Sequence, residues 1–217
     1  MSYGFLDTLA TPGVRAAQAA MGTDRNWANF KGHREFDRIG SQEAAFIGAR
    51  DSFYMATVGE TGWPYVQHRG GLPGFLKVID EKTLAFPDYR GNLQYISVGN
   101  LSTNDRAALI LMDYPHRARM KILAHVEIVS AEARPDLGAT VLDPTAKAKV
   151  ERIILLHLVT FDWNCPQHIT PRFTEGEVNE AVAPLIHHVE ALKAEVHALR
   201  EQLAAVNAKQ DGAERAG

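Results

Sequence analysis

The chain of 217 residues carries 23 lysines and arginines against 26 aspartates and glutamates, a formal net charge of −3. That balance excludes the broad basic surface that nucleic acid or an anionic membrane demands, and no stretch approaches the roughly 20 apolar residues of a bilayer helix. With 46% hydrophobic residues and one cysteine, Cys165, the chain reads as a globular domain with an appendage, without an internal disulfide or a cysteine metal cage. The opening MSYGFLDTLATPG carries Asp7 early and no basic segment leading into an apolar core. It is not a secretory signal, and a cytoplasmic location is expected.

Residues 1–50 read as a helical extension. Val14 to Met21 is alanine-rich with a proline just before it, Trp27 and Phe30 follow at one-turn spacing, and Ser41 is placed to cap a helix running through Ala49. The pattern then turns to short β-rich runs. Strands are expected at Ser52–Val58, Trp63–Arg69, Phe75–Ile79, Thr83–Phe86, Arg106–Met112, Met120–Ser130 and Arg152–Trp163, with turns at Gly59–Gly62 and Asp80–Lys82. Helices are expected at Asn92–Leu101, with Leu93, Ile96 and Leu101 on one face, and around Pro144–Val150. Too few helices separate the strands for a doubly wound sheet, so the fold class is mainly β: an antiparallel barrel or sandwich with flanking helices.

From Val182 the apolar positions are Val182, Leu185, Val189, Leu192, Val196, Leu199, Leu203 and Val206, spaced three and four in alternation. This is a heptad seam, with valine at a and leucine at d over its first three heptads, the combination of a parallel two-stranded coil. Glu195 at g and Arg200 at e of a partner helix can pair across it. An amphipathic helix packed on its own barrel is the alternative. Thr174 and Glu177 form a capping box upstream, Pro184 sits awkwardly inside the helix, and the tail after Ala208 reads as disordered. The expected organisation is an extension over 1–50, a barrel over 51–173, a coiled-coil helix over 174–208 and a tail over 209–217.

Three clusters carry chemistry. Gln67-His68-Arg69 runs into Gly70-Gly71-Leu72-Pro73-Gly74, where glycines let backbone amides approach a flat ligand. Pro87-Asp88-Tyr89-Arg90-Gly91-Asn92 lies at a strand-to-helix junction, where an arginine, a glycine and a helix N-terminus suit a phosphate. Asp162 to Ile169 is a polar loop after the last strand, with Trp163, Gln167 and His168. Alternation along the second strand lets only one of His68 and Arg69 face a site. Cys165 beside His168 reads as an inert thiol, because no oxyanion loop or third catalytic member accompanies it. The histidines show no metal spacing.

In that order, RDSFYMATV, GWPYVQHRGGLPGFLKVID, TLAFPDYRGN, NLSTNDRAALILMDY and DWNCPQHI resemble the FMN-binding split-barrel family related to pyridoxamine 5′-phosphate oxidase, over about Gln42 to Phe173. The resemblance implies a six-stranded antiparallel split barrel, a homodimer, FMN in a cleft between subunits, and a small-molecule substrate. It implies cofactor contacts at Gln67, Arg69, Pro87, Asp88, Arg90, Asn92 and Asn100, and at Trp163, Gln167 and His168 from the partner subunit. The Arg-Leu-His-Asp-Arg-like stretch that grips substrate phosphate in true pyridoxamine phosphate oxidases is replaced here by Pro171-Arg172-Phe173 and the capping box. The resemblance therefore points to an FMN-dependent oxidoreductase other than a vitamin B6 oxidase. A non-catalytic flavin or haem sensor signalling through the coil is the alternative, and a deazaflavin reductase shares the fold.

Overall fold

The structure is a computed structural model that describes residues 4–25, 36–146, 148–163 and 167–214, with 206–214 described by backbone alone. Trp27, Phe30 and Asn164 to Pro166, Cys165 included, lie outside the described residues. The chain divides into two compact units, Met1–Thr170 and Pro171–Gly217.

The first unit holds one seven-stranded, wholly antiparallel sheet. Its strands are β1 (Ser52–Val58), β2 (Pro64–Gly70), β3 (Lys77–Asp80), β4 (Thr83–Tyr89), β5 (Arg106–Asp113), β6 (Ala118–Val129) and β7 (Val150–Trp163), in the spatial order β2-β1-β5-β6-β7-β4-β3. Flanking it are α1 (Phe5–Leu9), α2 (Pro12–Ala20), α3 (Ser41–Gly48), α4 (Ile96–Thr103) and α5 (Pro135–Val141). The seventh strand, beyond the six that the resemblance implies, brings the short β3 to the sheet margin.

Alternation explains the main core. Phe53, Met55 and Thr57 of β1 point inward while Tyr54 and Val58 are exposed, and Leu109 and Leu111 of β5 continue the inner face. Strand β7 breaks the alternation. Ile154 and Leu156 enter the main core with Leu84, Phe86, Met120 and Ile122, whereas Ile153 and Leu155 meet Leu137 and Val141 of α5 on the other face. A strand covered on both faces needs an unbroken apolar run, which is why Ile153–Leu156 has no polar residue.

The sheet curls until its margins meet. Phe53 of β1 and Phe86 of β4 have three strands between them in the sheet order, yet their rings lie edge to face at 5.2 Å. Phe75, from the β2–β3 connection, stacks on Phe53 at 5.5 Å. Among the described residues no backbone ladder joins β2 to β3, so side chains close the barrel.

Three local expectations are corrected. The cap of α3 is Gly40, whose N–H donates to Glu43 Oε2 at 3.1 Å, and Ser41 is already helical. The helix expected near Pro144–Val150 lies at Pro135–Val141, opened by Pro135, and β7 already begins at Val150. Helix α4 starts at Ile96 instead of Asn92, because Leu93 and Tyr95 take left-handed backbone with φ of 64° and 51°.

The second unit is α6 (Glu175–Glu214), forty residues long. Its capping box is complete: Glu177 N donates to Thr174 Oγ1 at 3.2 Å, and Thr174 N donates to Glu177 Oε2 at 2.7 Å. The helix runs through Pro184 and past Ala208, its expected end. Among the described residues, no helix is long and apolar enough to cross a membrane.

Candidate functional site

A cleft of about 220 Å³ opens where the sheet margins approach each other. Its walls are the inner face of β2, the C-terminal end of β4, the loop Arg90–Tyr95, the first turn of α4 and the start of β7. On β2, Tyr65, Gln67 and Arg69 are half-buried and alternate with exposed Val66 and His68. Arg69 is thus the inward member of the His68–Arg69 pair, and the His68 ring packs edge to face on Tyr54. Tyr65 donates its hydroxyl hydrogen to Gln67 Oε1 within the cleft wall.

Strand β4 delivers Pro87 and Asp88. Pro87 lies past Ala85, the last residue of β4 with a partner on β3, where the missing N–H leaves no ladder bond unmade. Asp88 is 5% exposed and bridges two arginines: Arg69 Nη1 donates to Oδ1 at 2.7 Å, and Arg152 Nε stands 3.4 Å from Oδ2. Burial pushes the Tyr89 phenol above its ordinary pKa, and the negative charge of Asp143 adds to the effect. Its hydroxyl therefore stays protonated near neutral pH.

A bulge brings in two further charges. Asp88 pairs with Arg152 while Tyr89 pairs with Val150, so Glu151 is the extra residue in the β4–β7 ladder. A bulge re-aims side chains that strict alternation would send to opposite faces. Glu151 lines the cleft, accepts from Tyr95 OH at 3.0 Å and from Arg152 Nη2 at 2.8 Å, and lies 3.8 Å from Arg90 Nε. The Arg152 guanidinium also stands 5.1 Å from the centre of the Tyr95 ring.

Asn92 shapes the loop: its Oδ1 accepts from Gln94 N and its Nδ2 donates to Gln94 Oε1, both at 3.1 Å. Two consecutive-but-one non-glycine residues with positive φ, Leu93 and Tyr95, hold the chain in a strained course toward α4. No side chain caps that helix, whose first turn lines the cleft with Ile96, Ser97 and Val98. Its leading N–H groups have no intrahelical acceptor and carry partial positive charge.

Among the described residues, two buried polar atoms here have no partner, Arg69 Nε and Ser97 Oγ. Buried donors are seldom left so, and both lie along one cleft. Three arginines (Arg69, Arg90, Arg152) against two carboxylates (Asp88, Glu151) leave an excess of one positive charge, joined by an open helix N-terminus. The donor set suits a phosphate-bearing ligand.

The structure thus brings together six of the ten expected contact residues: Gln67, Arg69, Pro87, Asp88, Arg90 and Asn92. Asn100 is engaged elsewhere. Its Nδ2 donates to buried Thr57 Oγ1 at 3.0 Å, and a Cβ at Gly59 would meet its Oδ1 at 2.6 Å. Trp163 is held within its own barrel, where Nε1 donates to Glu43 Oε1 at 3.0 Å and the indole packs edge to face on Phe46. Gln167 and His168 are exposed and do not line the cleft. The glycine run acts differently from expectation: Gly71 N and Gly74 N donate to Asp51 O and Arg50 O at 2.8 and 2.9 Å, so those amides serve the turn itself. Gly71 is required because a Cβ there would meet Phe75 at 2.7 Å. Residue-type reasoning missed Glu151, Arg152, Tyr95 and Ser97. The Arg-Gly-Asn junction signalled the loop, but nothing local signalled the bulge.

The family model described as pyridoxamine 5′-phosphate oxidase matches residues 39–155, more than half of the chain. The chain belongs to the pyridoxamine 5′-phosphate oxidase family. The match spans every strand wall of the cleft and stops within β7, so α6 lies outside the family's shared part. Solved structures to which the chain is similar include a candidate pyridoxamine 5′-phosphate oxidase from Lactobacillus delbrueckii, 18% identical, with TM-score 0.46, covering 59% of this chain and 96% of that one. They also include HupZ of Group A Streptococcus (14% identical, TM-score 0.45, 62% and 100% covered). A third is an FMN-binding protein from Syntrophomonas wolfei (14% identical, TM-score 0.43, 68% and 97% covered). No curated protein matches the chain significantly.

Proposed function

We propose that the cleft binds FMN, with its phosphate directed toward Arg69, Arg90, Asn92 and the first turn of α4, and that the protein is an FMN-dependent oxidoreductase. The observation carrying this reading is the pair of orphaned buried donors, Arg69 Nε and Ser97 Oγ, in a cleft with an uncapped helix N-terminus. Family membership supports a flavin, and a flavin supplies hydride and electron chemistry that no side chain of this cleft offers. The protein's own part is to hold and orient the ligand. Arg69 is fixed by Asp88, Arg90 stands half-exposed at the mouth, and Gln67 offers an amide toward the ring end.

A homodimer belongs to the same proposal. The outer face of β2, β1 and β5 leaves Tyr54, Val58 and Val66 exposed beside Ala108 and Ile110, with Trp63 79% exposed at the adjoining turn. An apolar sheet face of this breadth fits a protein partner. Gln167 and His168, exposed in their own subunit, are the residues proposed to reach a partner's cleft.

The double variant Arg69→Ala with Arg90→Ala tests the phosphate assignment. FMN binding is expected to disappear while the dimer persists, and unchanged FMN affinity overturns the assignment. One observation, the forty-residue helix α6, favours a second reading in which a flavin-binding sensor passes its state to a partner. Turnover of a nicotinamide reductant by the flavin-loaded protein separates that reading from an oxidoreductase.

A further inference from the structure

Helix α6 spans about 60 Å at 1.5 Å per residue, and its apolar stripe, partly buried at Val182, is exposed from Leu185 to Leu203. Leu185 is 62% exposed, Val189 39%, Leu192 45%, Val196 46%, Leu199 55% and Leu203 60%. Of these, Val189, Leu192 and Val196 line a shallow groove together with Lys193, His197 and Arg200. An uncovered stripe on a helix this long calls for an occupant.

The stripe itself specifies the occupant. Valine at a (Val182, Val189, Val196) with leucine at d (Leu185, Leu192, Leu199) packs best between two parallel helices. The flanking columns decide orientation. Position e carries Ile186, Lys193 and Arg200; position g carries Ala181, His188, Glu195 and Gln202. Antiparallel pairing of two copies sets e against e, which faces Lys193 and Arg200 of one helix with the same cations of the other. Parallel pairing sets g against e of the next heptad, which brings Glu195 to the partner's Arg200. No cation of one helix then opposes a cation of the other over the Lys193–Arg200 stretch. The seam is narrow, two residues per heptad, and so fits a second helix of the same kind better than a broad surface.

We propose that α6 is a homotypic docking element that pairs, parallel and in register, with α6 of a second copy of this chain. The proposal does not depend on the flavin reading. Position a then lies opposite position a of the partner, and position f points away from the seam.

Disulfide trapping in the full chain tests it. With Cys165→Ser as background, the only thiol is the one introduced. Val189→Cys, at a, is expected to give covalent dimers under mild oxidation, and Ala194→Cys, at f, is expected to stay monomeric on a denaturing gel. Glu195→Lys should slow trapping at position 189 by about threefold, and adding Arg200→Glu should restore it. Equal trapping at 189 and 194 overturns the proposal, because it means collision without a seam. Trapping only between Val189→Cys and Leu199→Cys, an a and a d position, in a mixture overturns the parallel orientation. No trapping at 189 overturns pairing altogether. Loss of FMN binding in any of these variants has no bearing on the outcome, so the two proposals fail separately.

Discussion

Arg69 on β2 and Asp88 on β4 meet at 2.7 Å although four strands lie between β2 and β4 in the sheet. The contact crosses the open margin of the barrel and does the joining that a backbone ladder does elsewhere. Asp88 is almost wholly buried, and Arg69 keeps 15% of its side chain exposed. A charge pair so placed is more than surface decoration, since neither member can return to water without opening the margin.

Asp88→Asn should therefore destabilise the fold, because it leaves Arg69 and Arg152 without their shared counter-charge. Removing one member of a buried ion pair costs about 3 kcal/mol. Urea unfolding of the ligand-free protein measures it, and a loss below about 1 kcal/mol, the scale of an exposed pair, means that the margin is held by the Phe53–Phe75–Phe86 rings alone.

Glu151→Gln should tighten FMN binding while leaving riboflavin binding unchanged. Glu151 stands 3.8 Å from Arg90 Nε and competes with a ligand phosphate for that guanidinium. Relief of one such competition corresponds to about fivefold in affinity. Fluorescence titration with both flavins reads it, and an equal gain for riboflavin places the effect away from the phosphate.

Asn100→Ala should lower stability by about 1 kcal/mol and leave FMN affinity intact, since the lost hydrogen bond is the one to buried Thr57. Parallel unfolding and FMN titrations check this. A selective loss of FMN affinity returns Asn100 to the cofactor site.

Acid stability should depend on Asp113. Burial pushes its carboxyl up, but the amide and imidazole of His116 and the nearby Arg50 guanidinium outweigh burial and hold it below the ordinary carboxylate range. A carboxyl depressed in the folded state adds stability above its unfolded pKa of about 3.9 and loses it as pH falls through the folded value. Asp113→Asn should lower the melting temperature at pH 7 by about 3 °C, and the difference from wild type should shrink as pH falls below the ordinary carboxylate range and the carboxyl protonates. A difference that persists unchanged in acid assigns the loss to packing instead of charge.

Much of this was legible before the fold was known. Strand β1 falls where alternation placed it, because Phe53, Met55 and Thr57 need one buried face and Tyr54 and Val58 tolerate the other. The same parity turned Arg69 inward. Thr174 and Glu177 cap α6 as written, since a capping box is wholly local. What escaped depends on distant partners. Glu151 enters the cleft through a bulge fixed by pairing with β4, over sixty residues away, and no local pattern encodes that. Ser97 is an unremarkable residue in a first helical turn until the cleft forms beside it. The misplaced helix near Pro144 has a different cause. Pro135-Asp136 was a valid start signal, but Gly138 within so short a segment weakened the helical pattern that would have marked it.

The unbroken apolar columns of α6 bear on how faithful the proposed pairing would be. Coils that must recognise one mate commonly bury a polar residue in the seam as a signature, and from Val182 to Leu203 the a and d positions hold only valine and leucine. Such a seam is read by shape, with only the flanking e and g charges as a further check. For the pairing proposed above, a second chain with the same apolar columns and the same e and g charges would be accepted as readily as a matched copy.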